Sequence, residues 1–153
     1  MTNIYRQFWV TLFAAAVLAG CATGPKLSQE QILAQNEQIA KLDTGLKDAA
    51  AQGVDNLAPD GYRTARAQLD KALAEAGADR PDTANSAATQ GLQTLATANQ
   101  HAEISRDVLR EVIEARSKAL QAGATSIFPE RAADLDEEFR KVANLVERER
   151  IVE

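Results

Sequence analysis

Apolar residues recur at heptad spacing along most of the chain after residue 27, and this pattern predicts helices that pack along narrow seams. In the first predicted helix, Ile32, Ile39 and Leu46 repeat every seven residues. Because an α-helix has about 3.6 residues per turn, such a repeat places the apolar side chains on one stripe. Few segments alternate polar and apolar residues with the period of two that a half-buried strand requires. We therefore predict an all-α fold.

Glycine and proline residues divide this pattern into about four helices. Ser28, with Gln31 three residues later, has the spacing of a capping box at a helix start. The helices are expected over residues 28–52, 59–77, 81–122 and from 129 onward. The third is the longest, and Gly91 is the expected position of any kink in it, because glycine weakens a helix.

Part of the pattern occurs twice, with a shift of 70 residues. Gly53 and Pro59 match Gly123 and Pro129, with a five-residue connection between each glycine and proline. Glycine caps a helix C-terminus and proline fits the first turn of a helix, so each match predicts a specific backbone feature. The matched apolar positions are Ile39 with Leu109, Leu42 with Val112, Ala49 with Ala119, Leu69 with Phe139 and Ala72 with Val142. We expect two helical hairpins that share the long third helix or are joined through it, in an elongated antiparallel bundle.

The first 20 residues have the pattern of a secretory signal. Arg6 and the α-amine supply positive charge, and the uncharged, apolar stretch Phe8–Leu18 follows. A stretch of this length is shorter than the roughly 20 apolar residues that span a bilayer. A charged start, a short apolar stretch and small residues at its end together predict a signal peptide over residues 1–20.

The signal peptide ends in the run Leu18, Ala19, Gly20 and Cys21, and Cys21 is the only cysteine of the chain. This run resembles the lipobox of bacterial lipoprotein precursors. The resemblance implies cleavage before Cys21, acylation of that residue, for example with palmitate, and attachment to a membrane through the acyl chains. The next residue, Ala22, is not an aspartate, which resembles the signal for the outer membrane. We expect a lipid anchor in the outer membrane, facing the periplasm; an ordinary secretory signal is the alternative.

The predicted mature chain forms one domain with an acidic charge balance. Residues 21–27 are expected to be the acylated cysteine and its tether, and residues 28–153 the helical bundle domain. The chain has 17 Lys and Arg against 22 Asp and Glu, and Arg6 is the only charged side chain of the signal peptide. The net charge of the mature part is therefore near −6, which argues against nucleic acid as a partner, since nucleic acid requires clustered positive charge.

The sequence offers little chemistry for a catalytic, cofactor or metal site. His101 is the only histidine, and the one cysteine is assigned to acylation, so we interpret His101 as a residue on a helix flank rather than a metal ligand or pH switch. A deep ligand pocket is usually lined by aromatic side chains, and only Tyr62, Phe128 and Phe139 follow the signal peptide. We expect neither an enzyme nor a small-molecule substrate.

Charged residues near the C-terminus are predicted to form solvated helix faces. Asp134, Asp136, Glu137 and Glu138 form an acidic cluster, but a helix scatters such residues, whereas Ca²⁺ needs converging oxygens. Pairs four residues apart, Asp136 with Arg140 and Glu137 with Lys141, indicate salt bridges along the helix instead. The same interpretation applies to Arg106, Arg110, Glu114 and Lys118, and to the sign-alternating segment 147–150.

Four features of the chain together resemble a known family. They are the segment Leu57-Ala58-Pro59, the segment ARAQLDKA over residues 65–72, the alanine-rich helix that follows and the second glycine–proline element. It is a helical domain of unknown function in bacterial envelope lipoproteins, where it often precedes an OmpA-like peptidoglycan-binding domain. The resemblance covers most of residues 40–146 and includes no OmpA-like domain, so the peptidoglycan role of that domain is not carried over.

Three hypotheses for function follow. The first is a structural or protein-interaction role in the cell envelope, with another envelope protein or a second copy of the chain as partner. The second is non-covalent association with peptidoglycan. The third is a carrier or chaperone role for apolar cargo held inside the bundle.

Overall fold

The computed structural model describes residues 27–149, whose regular secondary structure is entirely helical, as predicted. The helices are α1 (Gln29–Gln35), α2 (Glu37–Ala51), α3 (Val54–Leu57), α4 (Pro59–Gly77), α5 (Pro81–Val108), α6 (Arg110–Gln121), α7 (Ala124–Ile127) and α8 (Pro129–Glu149). The described part thus has eight helices instead of about four. Two of the expected helices are interrupted, and each glycine–proline connection contains a short helix of its own.

The interruptions lie at Asn36 and Leu109. Asn36 is extended (φ −126°, ψ 93°), and its side-chain amide donates a hydrogen bond to the Ile32 carbonyl at 2.8 Å. Leu109 leaves helical geometry (φ −101°, ψ 17°) between α5 and α6. The expected kink at Gly91 is wrong, because α5 runs through that residue without a break.

The 70-residue repeat extends to backbone geometry. Gly53 and Gly123 both have left-handed backbone conformations, with φ +76° and ψ 18° in the first copy and φ +83° and ψ 23° in the second. In both copies a four-residue helix follows, and the residue before the proline donates its N–H to the first carbonyl of that helix at 2.8 Å. The two predicted glycine caps are confirmed, and so is the capping box of Ser28 and Gln31.

The core lies where α5 packs against α2 and α4. The seam of α5 consists mainly of small buried residues: Ala84, Ala87, Ala88, Gly91, Leu95, Ala98 and Ala102. A Cβ atom on Gly91 would lie 2.4 Å from Leu42 Cδ2 and 3.1 Å from Gln68 Cβ. Gly91 is therefore a point of close approach between α5 and its two neighbours, since these distances are shorter than ordinary van der Waals contact.

The C-terminal or second hairpin, which consists of α6, α7 and α8, is packed much less completely than the first hairpin, which consists of α2, α3 and α4. α8 reaches α3, α4 and α5, but its buried residues are only Phe139, Ala143 and Glu147. α6 has no buried residue. The second hairpin thus rests on the rest of the molecule mainly through the last three turns of α8.

Gly91→Ala is expected to destabilise the protein. The added methyl group overpacks the contact with Leu42, which costs about 1–3 kcal/mol, and this loss exceeds the gain of about 0.5–1 kcal/mol from the higher helix propensity of alanine. The control is Gly77→Ala, because a Cβ there meets nothing closer than 3.8 Å. Urea unfolding should show a lower midpoint for Gly91→Ala and an equal or higher one for Gly77→Ala. Equal midpoints for the two variants would contradict the close approach.

Candidate functional site

The predicted lipid-attachment residue Cys21 and the cleavage motif Leu18, Ala19 and Gly20 lie outside the described residues. Their roles stay predictions from the sequence. The described residues instead offer two features on which a function can be based: an open apolar groove in the C-terminal hairpin and a buried carboxylate that holds this hairpin in place.

The groove lies between α6 and α8. The two helices are well separated, since no Cα atom of α6 lies within 8 Å of a Cα atom of α8. The groove encloses a cavity of about 250 Å³. Its lining, which we call the α6–α8 groove, is mostly apolar and consists of Val112, Ala115, Arg116, Ala119, Leu120, Ala124, Ala132, Leu135, Asp136 and Phe139.

Several apolar positions of the C-terminal hairpin are exposed although their counterparts in the first hairpin are buried. Ala65 is 0% exposed, whereas its counterpart Leu135 is 66% exposed. Leu57 is 7% exposed and its counterpart Ile127 is 63% exposed. α5 covers the first hairpin, and among residues 27–149 no helix covers the second in the same way. The α6–α8 groove is therefore the open counterpart of a surface that the same chain fills in its first copy.

An ion pair crosses the α6–α8 groove. Arg116 Nε donates to Asp136 Oδ1 at 2.7 Å, and the guanidinium lies 5.7 Å from the centre of the Phe139 ring. The hydrogen bond from Arg116 holds the pKa of Asp136 below its usual range, although partial burial opposes the shift. The same bond raises the pKa of Arg116.

This geometry corrects one predicted salt bridge and confirms another. The carboxylate of Asp136 was expected to pair with Arg140, but it faces Arg116, and Arg140 Nε donates to the Asp136 backbone carbonyl at 3.3 Å. The carboxylate of Glu137 accepts a salt bridge from Lys141 at 3.1 Å, as expected. Helix spacing could not identify the Arg116 pair, because it joins two different helices.

The buried carboxylate is Glu147, which is 2% exposed. Its two oxygens accept the backbone N–H groups of Asp60 at 3.0 Å and Gly61 at 2.7 Å. These donors belong to the first turn of α4, where N–H groups have no partner within the helix and the helix dipole favours negative charge. Glu147 thus caps α4 from a helix almost 90 positions later in the chain.

One sequence interpretation is wrong at this site. Glu147 was assigned to a solvated segment of alternating charge, but it is buried. His101 is mostly buried, and its Nδ1 lies 3.9 Å from Glu147 Oε1. Gly61 permits this arrangement, because a Cβ there would lie 2.8 Å from Ala98 Cβ and 2.9 Å from Glu147 Oε1.

A second contact strengthens the attachment of α8 to α4. Arg148 donates two hydrogen bonds to Asp60 Oδ2, at 3.1 and 3.2 Å. A hydrogen bond from Asn144 is the main cause that lowers the pKa of Asp60, and Arg148 adds to it, while burial acts in the opposite direction. Asn144, Glu147 and Arg148, near the end of α8, therefore converge on the start of α4.

Within residues 27–149, no group of three or more His, Cys, Asp or Glu side chains is placed to hold a metal ion. None of the helices in that range is both long enough and apolar enough to span a bilayer. Comparison of the chain with protein-family models, with curated proteins and with solved structures gave no match.

Glu147→Ala is expected to lower the free energy of unfolding by about 1–3 kcal/mol, because two backbone N–H groups lose a charged acceptor. The control is Glu149→Ala on an exposed part of the same helix, which should change stability by less than about 0.5 kcal/mol. Amide hydrogen exchange provides the local measurement: the Asp60 and Gly61 amides should exchange faster in Glu147→Ala only. Unchanged exchange at both amides would contradict the cap.

The Arg116–Asp136 pair is expected to weaken in acid. The pKa of Asp136 is lowered in the folded chain, so its contribution to stability is complete above about pH 5 and is lost as the pH falls through the folded value, below the usual value of about 3.9. Thermal unfolding between pH 7 and pH 3 should show a smaller acid-dependent loss of stability for Asp136→Asn than for the unmodified chain. Asp134→Asn, at an exposed neighbouring position, is the control. An equal acid response in the unmodified chain and Asp136→Asn would contradict this interpretation.

Proposed function

We propose that this protein is a lipid-anchored lipoprotein of the outer membrane that faces the periplasm and has a structural or protein-interaction role in the cell envelope. In this proposal residues 1–20 are a signal peptide, Cys21 carries the acyl chains, and the helices form an elongated bundle that extends from the anchor. The lipobox-like run that ends at Cys21 supports the anchor, as does the resemblance to helical domains of envelope lipoproteins.

The observation that carries the interaction role is the exposed apolar surface of the C-terminal hairpin. Eight of the nine large exposed apolar side chains of the described residues lie there or at the adjoining end of α5: Val108, Val112, Leu120, Ile127, Phe128, Leu135, Val142 and Leu145. Val112, Leu120 and Leu135 of this set line the α6–α8 groove, and exposed apolar patches are typical of sites where another molecule binds. A partner that covers it would remove these side chains from water.

A carrier role for apolar cargo is the second candidate, because the same groove encloses a cavity with a mostly apolar lining. Its volume of about 250 Å³ falls below the range of roughly 300–1,000 Å³ that is typical of ligand pockets. The groove is also open to solvent, since Leu135 in its lining is 66% exposed. Both observations favour a helical partner over a small molecule.

The anchor is tested with Cys21→Ala. In an outer-membrane bacterium fed a labelled fatty acid, the unmodified chain should incorporate the label and appear at the mature size in the outer-membrane fraction. The variant should incorporate no label and accumulate as an uncleaved precursor, because the residue that is acylated is missing. Ser28→Ala, seven residues further on, is the control and should be labelled normally. A Cys21→Ala variant that still fractionates as a mature outer-membrane protein would overturn the anchor.

A further inference from the structure

We propose that acid releases the end of α8 from α4 and opens the C-terminal hairpin, while α2, α4 and α5 stay packed together. This response of the fold goes beyond the proposed function, since it depends neither on the lipid anchor nor on a partner. Its basis is a difference in chemistry between the contacts that hold α8 and the contacts that hold the core.

Ion pairs between distant parts of the described chain all involve α8. Among residues 27–149, only three ion pairs join positions more than five residues apart. They are Asp60 with Arg148 at 3.1 Å, Asp136 with Arg116 at 2.7 Å, and Glu147 with His101 at 3.9 Å when the imidazole is protonated. Glu147 also accepts the two backbone N–H groups at the start of α4. The attachment of α8 to α4, α5 and α6 therefore depends on carboxylates.

The contacts among α2, α4 and α5 are of a different kind. Their facing residues are apolar or small, and Leu42, Leu46 and Leu69 are at most 1% exposed. Apart from Asp60, the paired carboxylates of these helices bind partners three to five positions away, as Asp43 binds Lys47. Pairs of this type on a helix surface contribute little to stability. Acid therefore changes the surface charge of the core but not the contacts that hold it together.

Asp60 keeps its charge through groups on two helices. Asn144 and Arg148 reach it from α8, and Arg63 lies on its own helix. The hydrogen bond from Asn144 is the main cause that lowers the pKa of Asp60, while burial opposes the shift. Asp55 is the acidic residue of α3 and lines the same cleft. Protonation of Asp60 would weaken its contacts with α8.

Asp136 and Glu147 face basic groups on the helices next to α8. The hydrogen bond from Arg116 of α6 lowers the pKa of Asp136, burial opposes the shift, and the charge of Arg140 on α8 adds to it. His101 of α5 faces Glu147. Imidazole gains its proton at a higher pH than a carboxylate does. Below about pH 5, the groups that change charge at these contacts are therefore the carboxylates.

The sign of the pH effect follows from the lowered pKa values of Asp60 and Asp136. A carboxylate whose pKa is lower in the folded chain stabilises its contacts fully above the usual value of about 3.9, and this contribution is lost as the pH falls through the folded value. Apart from Glu147, the buried residues of α8 are only Phe139 and Ala143. Little apolar burial remains to hold α8 once its carboxylate contacts are protonated, so α8 should detach before the core unfolds.

The experiment is hydrogen exchange of the full chain from pH 7 to pH 2, with each rate compared with that of an unstructured peptide at the same pH. Between pH 5 and pH 2, the protection of residues 139–149 and of the Asp60 and Gly61 amides should fall at least about tenfold. A factor of ten corresponds to a difference of one in the pKa of a single carboxylate between the attached and detached states. The amides at the centres of α2, α4 and α5 should keep their protection.

The double variant Asp60→Asn, Asp136→Asn removes two of the titrating groups. The protection of residues 139–149 should be lower in this variant than in the unmodified chain at pH 7, and it should fall less in acid. Asp43→Asn, Asp70→Asn is the matched control, since both carboxylates pair with a basic residue four positions away in their own helix. This control should keep the full acid response. Circular dichroism at pH 7 checks that each variant remains helical.

Three results would overturn the proposal. The first is a loss of protection in α8 and in the core at the same pH, because the fold would then respond as one unit. The second is full protection of residues 139–149 at pH 2. The third is an equal acid response in the unmodified chain and in the variant Asp60→Asn, Asp136→Asn. The first two use the unmodified chain alone, so they decide the question even where a variant fails to fold.

Discussion

The close fit of the α5 seam between α2 and α4 is the constraint on which the rest of the structure depends. Small side chains let the α5 backbone come close to both neighbours, and at Gly91 there is no room for a Cβ atom. This contact buries the large apolar residues of the first hairpin, with Ile39, Leu42 and Leu46 almost completely excluded from water. The first half of the chain is thereby a complete core built from two helices and a third that covers them.

In the C-terminal hairpin, α6 and α8 correspond to α2 and α4, but no helix among residues 27–149 covers them as α5 covers the first hairpin. α8 is held at one end, where Glu147 caps α4, and none of its Cα atoms lies within 8 Å of a Cα atom of α6. The Arg116–Asp136 pair spans the resulting groove but leaves most of its apolar lining exposed. A hairpin whose attached end is fixed and whose apolar face is open is well suited to intermolecular packing, and this is the physical basis of the proposed interaction role.

Much of the backbone could be predicted from the sequence because glycine, proline and capping residues have specific local effects. The repeat from Gly53 and Pro59 to Gly123 and Pro129 predicted matching turns, and the structure shows matching dihedral angles. The one-turn helices α3 and α7 were missed, since four residues carry too little periodicity to distinguish a turn of helix from a connection. The interruption at Leu109 was missed because leucine favours helix, so the local sequence gives no sign of a break there.

The burial of Glu147 could not be predicted, because its neighbours Arg148 and Glu149 have the alternating charge of a solvated helix. Its partner is the N-terminus of α4, and backbone N–H groups leave no mark in a sequence. The difference between the hairpins was partly hidden, since most matched core positions are apolar in both copies. Two signals were available: Leu46 and Ala65, both buried in the covered copy, correspond to Arg116 and Leu135 in the open one. A charged side chain and a larger side chain at matching positions indicate that the second hairpin is not packed in the same way as the first.

Hydrogen exchange of the full chain at increasing dilution tests the central claim most directly, because it reports on both hairpins in one sample. Because no helix among residues 27–149 covers the α6–α8 groove, the amides of α6 and of the first half of α8 should have little protection in the dilute chain. The amides of α2, α4 and α5 should keep theirs, since their cover belongs to the same chain. Protection of α6 and α8 that equals that of α4 at every concentration would contradict the account.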